Sequence, residues 1–352
     1  MSGSKKTVLV IGGTGAQGVA VIDALSKDSR YKIRVLTRSA TSPAAIELAA
    51  LPGVTLVEGN PYDEATLQLA FDGIDLAWVN TNGFAIGEKS EIYWGIRMYE
   101  IARSRGVAHF QWASLAYASK LGGFDPKYRT GHMDGKAKVA DFISAQPTSP
   151  MKWTVLTSCM YMETLTEMLA PRSSPDDPDL MVFAAPLGNG RPPLIHLADL
   201  GRYARWVFDN PDRSNGLNLM VATENVGWEY LAKTFTEVTG KKAIFKDITL
   251  NQLFASDVFP FPDAKVGHSV LDQDSTLQTY RQNFSGFWNT WSADLIKVDY
   301  AVLDEILPTR VKTVGEWMKM VGYTGERRSV LKDFKDNAKR RQEGFEAMKK
   351  SD

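Results

Sequence analysis

The segment GGTGAQG, Gly12 to Gly18, follows the apolar run Thr7–Ile11 and opens an amphipathic stretch, Ala16–Ser26. No other feature of the chain restricts its fold as strongly. A short run that is apolar at every position is buried on both faces, which calls for helices above and below a parallel sheet. Gly13, Gly15 and Gly18 fit GxGxxG, while Gly12, Gly15 and Gly18 fit GxxGxxG. Glycine permits a tight turn here and lets backbone N–H groups approach a pyrophosphate. The helix start adds unpaired donors and the positive end of the helix dipole. The pattern alone is weak, but its place between a strand and a helix makes it specific for a dinucleotide. Gly12, Thr14, Gly15, Ala16, Gln17 and Gly18 are the candidate contacts.

The alternation continues through the first 157 residues. Strands are expected at Ile33–Leu36, Val54–Glu58, Ile74–Asn80, His109–Ala113 and Trp153–Thr157, with helices over Asp63–Phe71, Glu88–Arg105 and Lys136–Ala145. This predicts an α/β fold, a Rossmann-type doubly wound parallel sheet wrapped by helices. Residues 158–352 are less regular and form a smaller, mixed α/β lobe for substrate or partner. That lobe is interleaved with the first, because segments within 193–225 return to the sheet; Leu217–Val221 is the candidate strand. A strand edge and helix are expected at Leu194–Phe208, a helix at Leu231–Gly240 and a charged, solvated helix over Asp333–Asp352. Few periodic segments stand out between Ala255 and Asp299.

The second strand runs into Thr37, Arg38 and Ser39. An NAD site usually places an acid there to hold the ribose hydroxyls. A guanidinium forks onto a phosphate instead, and two flanking hydroxyls add donors. NADP(H) is therefore the expected cofactor. Asn60 and Pro61 follow the third strand, and Asn80, Thr81, Asn82 and Gly83 the fourth. Both groups stand at carboxyl ends of strands, where ligands of open α/β sheets bind, although each residue also suits an ordinary turn.

GGTGAQG, Thr37-Arg38 and WAS at Trp112–Ser114 together resemble the short-chain dehydrogenase/reductase superfamily. HMDGKAKVADFI (His132–Ile143), PLIHLADLGRYA (Pro193–Ala204) and LAKTFTEVTGKK (Leu231–Lys242) resemble its atypical NmrA-like branch, and VGEWMKMVGYTG (Val314–Gly325) looks like fungal members. The resemblance implies a catalytic Lys136, which binds the nicotinamide ribose, and a substrate-holding Ser114. The family's proton-donating tyrosine is replaced by His132, whose ordinary pKa near 6.5 suits a general acid. Many relatives with such changes are regulators that bind NADP(H) without turnover. A second route keeps catalysis, because hydride addition to a cationic C=N bond puts no proton on oxygen. Asp125, Asp134 and Glu163 are candidate carboxylates for such a cation, although lone loop carboxylates are mostly solvated.

Phe84, Trp94, Tyr117, Phe124, Tyr128, Met160, Tyr161 and Met162 are candidates for an apolar cleft over the nicotinamide, with core packing the competing role for each. Such a cleft suits a bulky, aromatic or polycyclic metabolite. The expected function is NADP(H)-dependent oxidoreduction of an imine- or iminium-containing secondary metabolite, alkaloid-type, a reaction to which ring formation can be coupled. The alternative is an NADP(H)-sensing regulator docked on a transcription factor. Composition narrows the rest. Lys and Arg (41) balance Asp and Glu (41), which disfavours a nucleic-acid grip. One cysteine, Cys159, and four scattered histidines, His109, His132, His196 and His268, offer neither an intrachain disulfide nor a metal site. No apolar run is of membrane-spanning length and the N-terminus lacks a signal-peptide pattern, so a cytoplasmic setting is expected.

Overall fold

The computed structural model describes residues 5–267, 269 and 274–331. The charged helix expected over Asp333–Asp352 lies outside the described residues, as does His268.

Six strands alternate with helices as the apolar runs predict. They are β1 (Lys6–Ile11), β2 (Tyr31–Thr37), β3 (Val54–Glu58), β4 (Leu76–Val79), β5 (His109–Leu115) and β6 (Lys152–Ser158). With Leu217–Met220 they form a seven-stranded sheet, which runs from that strand through β6, β5, β4, β1 and β2 to β3. Every pairing in it is parallel. The order reverses at β1, between β2 and β4, and the crevice outside the carboxyl ends there is where such sheets bind ligands. Strand periodicity divides the core. Val8 and Val10 face one cluster with Val21, Ile22, Tyr203 and Ala204, whereas Leu9 and Ile11 face another with Phe71, Met98 and Tyr99. Each such aliphatic side chain contributes about 1.5–3 kcal/mol when fully buried.

Helices α1 (Ala16–Ser26), α2 (Pro43–Ala49), α3 (Glu64–Ala70), α4 (Gly83–Ser104), α5 (Ala118–Leu121), α6 (Gly131–Ser144) and α7 (Leu197–Asp209) fill the connections. Two of them start earlier than their periodicity suggests. α4 takes in a first turn, broken from the rest at Gly87 (φ 74°). α6 begins at Gly131, so His132 lies inside its first turn. Gly201 of α7 sits against α1, where a Cβ would come within 2.2 Å of the Ala20 carbonyl oxygen.

The rest of the chain adds two small sheets. In one, Pro193–Ile195 lies between Met160–Tyr161 and Glu224–Asn225; in the other, Met181–Ala185 lies between Arg172–Ser173 and Ala243–Asp247. A third apolar cluster joins them to a helix, Tyr280–Ser292, in the region that shows little periodicity. Its start is set by a capping box, with Thr279 and Gln282 satisfying each other's backbone N–H groups.

Candidate active site

The glycine turn is built by close packing. Gly12 has φ 81°, and a Cβ on it would lie 2.5 Å from the Asn80 carbonyl oxygen at the end of β4. A Cβ on Gly18 would lie 2.2 Å from the Gly12 oxygen, and one on Gly13 would strike Val35 at 2.5 Å. Gly15 differs: a Cβ there meets one atom within 4 Å, the Gly12 oxygen at 3.4 Å. Gly15 caps α1, no side chain caps that end, and no acidic residue lies in its first turn. The N–H groups of Ala16, Gln17 and Gly18 are thus without intrahelical partners, beside an open approach at Gly15. The residues fit a bound pyrophosphate. The Gln17 side chain is engaged elsewhere, donating to the Tyr161 hydroxyl (2.8 Å) and Ser158 Oγ (3.1 Å), and so ties α1 to the end of β6.

Arg38 is exposed just beyond β2, and among the described residues no carboxylate pairs with it. Thr37 Oγ1 donates to the Ser39 carbonyl, and Ser39 Oγ lies 3.2 Å from Thr41 Oγ1. Asn60 Oδ1 accepts the Tyr62 N–H, and the Asn82 N–H donates to the Tyr62 hydroxyl. Tyr62, which no sequence motif marks, thereby joins the ends of β3 and β4. Its hydroxyl is pushed up to about 12 by burial, and the Glu91 charge adds to the rise.

Lys136 lies at the carboxyl end of β4, one helical turn from His132. Its Nζ donates to Asn80 Oδ1 (2.8 Å), the Thr81 carbonyl (2.9 Å) and Glu91 Oε1 (3.2 Å), and stands 5.2 Å from the centre of the Trp112 ring. Burial pulls the Lys136 pKa down, against the pull of the Glu91 charge. Ser114, at the end of β5, donates to the Leu115 carbonyl and, at 3.4 Å, to the Lys136 carbonyl.

His132 is buried among Phe84 (ring centres 4.6 Å apart), Phe284 (5.6 Å) and Phe287 (5.9 Å). Its backbone N–H donates to Asn283 Oδ1, and its Nδ1 lies 2.8 Å from Asn283 Nδ2. Nδ1 also lies 3.0 Å from Asn283 Oδ1, so the Asn283 amide fixes the ring through Nδ1. Burial lowers the His132 pKa to about 4. This corrects the expectation drawn from its ordinary value. At neutral pH a ring with that value is uncharged.

Residues 4–307 match the family model described as NmrA-like family. The chain belongs to the NmrA-like family. Among its relatives, the NmrA-like family domain-containing oxidoreductase himF of Aspergillus japonicus is 30% identical over 285 residues, covering 75% of this chain and 80% of that protein. The oxidoreductase FrzB of a Cladobotryum species is 27% identical over 278 residues, covering 73% and 80%. A crystal structure of a mutant NmrA superposes with a TM-score of 0.71 at 18% identity, covering 92% of this chain and 97% of that one. An NADPH-dependent quinone oxidoreductase from Escherichia coli gives a TM-score of 0.64 at 17% identity, with 90% and 99% covered. At these identities the two structures speak for the fold.

Within this NmrA-like protein several expected cleft residues lie elsewhere. Trp94 packs with Tyr62 and Tyr93 against the cluster that includes residues of α3 and α4. Tyr117 meets the exposed Phe124 edge-on and the Lys120 ammonium; Tyr128 covers Gly122, with the Lys127 ammonium over its ring. Met162 lies in the third core cluster and Met160 packs against it, as Phe84 does, so these two stay with the His132 surroundings. The three proposed carboxylates are likewise committed. Asp134 accepts from Ser119 and from the Thr130 N–H, Asp125 from the Lys127 N–H, and Glu163 from the Leu197 N–H while pairing with His196. The carboxylate beside Lys136 is Glu91. Its signal was an acid on a stripe of small and apolar residues at helical spacing, Gly87, Glu91, Gly95, Met98 and Ala102.

Proposed function

We propose that the protein is an NADP(H)-dependent oxidoreductase that delivers hydride to an iminium or similarly cationic, bulky secondary metabolite of alkaloid type, in the cytoplasm. The observation that carries this reading is the uncharged His132 at the tyrosine position, beside a Lys136 whose charge Glu91 balances. The oxidoreductase names of its fungal relatives and the NADPH of the quinone oxidoreductase neighbour support the redox half of the reading.

In this reading the N–H groups from Gly15 to Gly18 hold the pyrophosphate. Arg38, Thr37 and Ser39 hold the 2′-phosphate, and Asn80, Thr81, Asn82 and Lys136 align the nicotinamide ribose. NADPH supplies the hydride when bound. The protein's remaining work is to present a cation to it. A bare lysine and an imidazolium would repel such a substrate, whereas a balanced pair and a neutral ring do not. Of the aromatic group around His132, Phe84 is only partly buried and is the ring that would meet a cation. No residue has to protonate an oxygen, which agrees with the absence of the tyrosine.

Incubation with NADPH and a panel of cyclic iminium ions and matching ketones tests this. Products reduced at C=N, with the ketones untouched, are expected. Turnover of ketones alone would contradict it. The NmrA fold shared with a negative transcriptional regulator keeps a second reading, cofactor sensing on a transcription factor. That reading requires tight NADP(H) binding, a recoverable protein partner and no reduction of any probe.

A further inference from the structure

We propose that Glu91 is a positioning residue of the cofactor site, whose buried carboxylate keeps the Lys136 ammonium charged and fixed at the end of β4. The inference rests on the reading that the protein binds NADP(H). Glu91 is fully buried in α4, and Lys136 is almost so. Carboxylate and ammonium stand 3.2 Å apart, and the Thr81 hydroxyl donates to the same Oε1 at 2.7 Å. The other oxygen, Oε2, is buried and has no hydrogen-bond partner among the described residues. It occupies a space left by two glycines on different helices. A Cβ on Gly83 would lie 2.3 Å from it and one on Gly135 3.1 Å. Gly135 directly precedes the lysine in HMDGKAKVADFI, so the glycine of that motif makes room for this acid.

The electrostatics give the pair its purpose. Removing two charges from water is often not repaid by their attraction, so a buried pair is weak evidence of a stabilising role. What it does maintain is protonation. Burial disfavours a charged lysine, and an adjacent carboxylate favours it. The other titratable groups packed around the pair are His132 on α6, Glu88 on α4 beside Gly135, and Tyr62 from the β3–α3 connection. His132 and Tyr62 are uncharged at neutral pH. Glu88 is held by Arg129 and Lys138. Glu91 is therefore the group that sets the lysine's charge. All three lysine hydrogens are directed, to Asn80, Thr81 and Glu91, so the same contacts also fix its direction.

The test compares NADP⁺ dissociation constants of wild type, Glu91→Gln and Glu91→Asp between about pH 6 and about pH 9, a range that spans the titration expected of a desolvated lysine without its acid. Glutamine keeps the shape and an acceptor for Thr81 but removes the charge. The ratio of E91Q to wild-type dissociation constants should rise about tenfold or more across that range as Lys136 loses its proton. E91D, which keeps the charge, should give a ratio that does not change with pH. A pH-independent ratio for E91Q overturns the inference. If E91Q does not fold, the double variant E91Q/K136M must regain the fold, because both charges are then gone; failure to regain it assigns Glu91 to packing and overturns the inference equally. Wild type that binds no NADP⁺ at any pH contradicts the cofactor reading itself, which separates the two failures.

Discussion

Arg38 and His132 carry the two residue-level choices of this protein. Arg38 stands free of carboxylates among the described residues, at the position where an acid would select NAD(H). Arg38→Ala should weaken NADPH binding by about 2 kcal/mol, roughly thirtyfold, and leave NADH within about threefold, because only the 2′-phosphate loses its charge-assisted bonds. Titration of tryptophan fluorescence measures both; equal weakening would remove Arg38 from the phosphate site. His132 shows where residue-level reading of sequence stops. Its identity and its spacing from Lys136 are plain in HMDGK, and its ordinary pKa invites an acid role. The burial that cancels that role comes from Phe284, Phe287 and Asn283, about 150 residues away in sequence, and no local pattern announces them.

At the scale of elements, the glycine turn separates folding from binding. A Cβ on Gly18 collides with the backbone of Gly12 and Gly13, so Gly18→Ala should destabilise the protein by about 1–3 kcal/mol as well as impair cofactor binding. Gly15→Ala meets nothing closer than 3.4 Å at a φ of −88°, so it should keep the wild-type melting temperature while weakening NADPH at least tenfold. Thermal unfolding with and without NADPH distinguishes them; a large melting-temperature loss in Gly15→Ala would show that its glycine serves the fold. The strands β1 to β6 and most helices were legible because buried parallel strands are continuous apolar runs and surface helices repeat every 3.6 residues. The first turns of α4 and α6 were not, since Gly83–Gly87 and Gly131–Gly135 are poor in the apolar spacing that marks a helix and rich in glycine that disfavours one. Two of those glycines, Gly83 and Gly135, make room for Glu91, and so the site's acid was hidden by the same residues that accommodate it. The Tyr280–Ser292 helix is also not legible in the sequence, although Tyr280, Phe284, Phe287, Trp288 and Trp291 stand at helical spacing on its buried face; the Asn, Ser, Gly and Thr residues between them obscure the pattern.

The whole molecule couples this site to stability through protons. His132 and His109 are both buried with pKa values lowered to about 4 from an ordinary 6.5. Between those values the unfolded chain binds protons that the native protein does not, so stability falls as pH drops from about 6.5 toward 4 and is independent of these groups above that range. Urea midpoints across this window should show the decline in wild type and a shallower one in His109→Gln/His132→Gln; identical slopes would mean that the rings titrate normally. No described helix is long and apolar enough to cross a membrane. Three apolar clusters hold the sheet and the second layer together, and the chain segments that build the His132 surroundings come from both. The architecture thus brings His132, the Lys136–Glu91 pair and the open N-terminus of α1 to one end of the sheet, the arrangement on which the proposed hydride delivery to a cation rests. The most direct measurement is a single turnover with NADPH deuterated at the transferable position, pre-bound to excess protein and mixed with a cyclic iminium ion. Loss of NADPH absorbance and one deuterium on the former C=N carbon are expected; NADPH that stays bound and unoxidised would contradict hydride delivery.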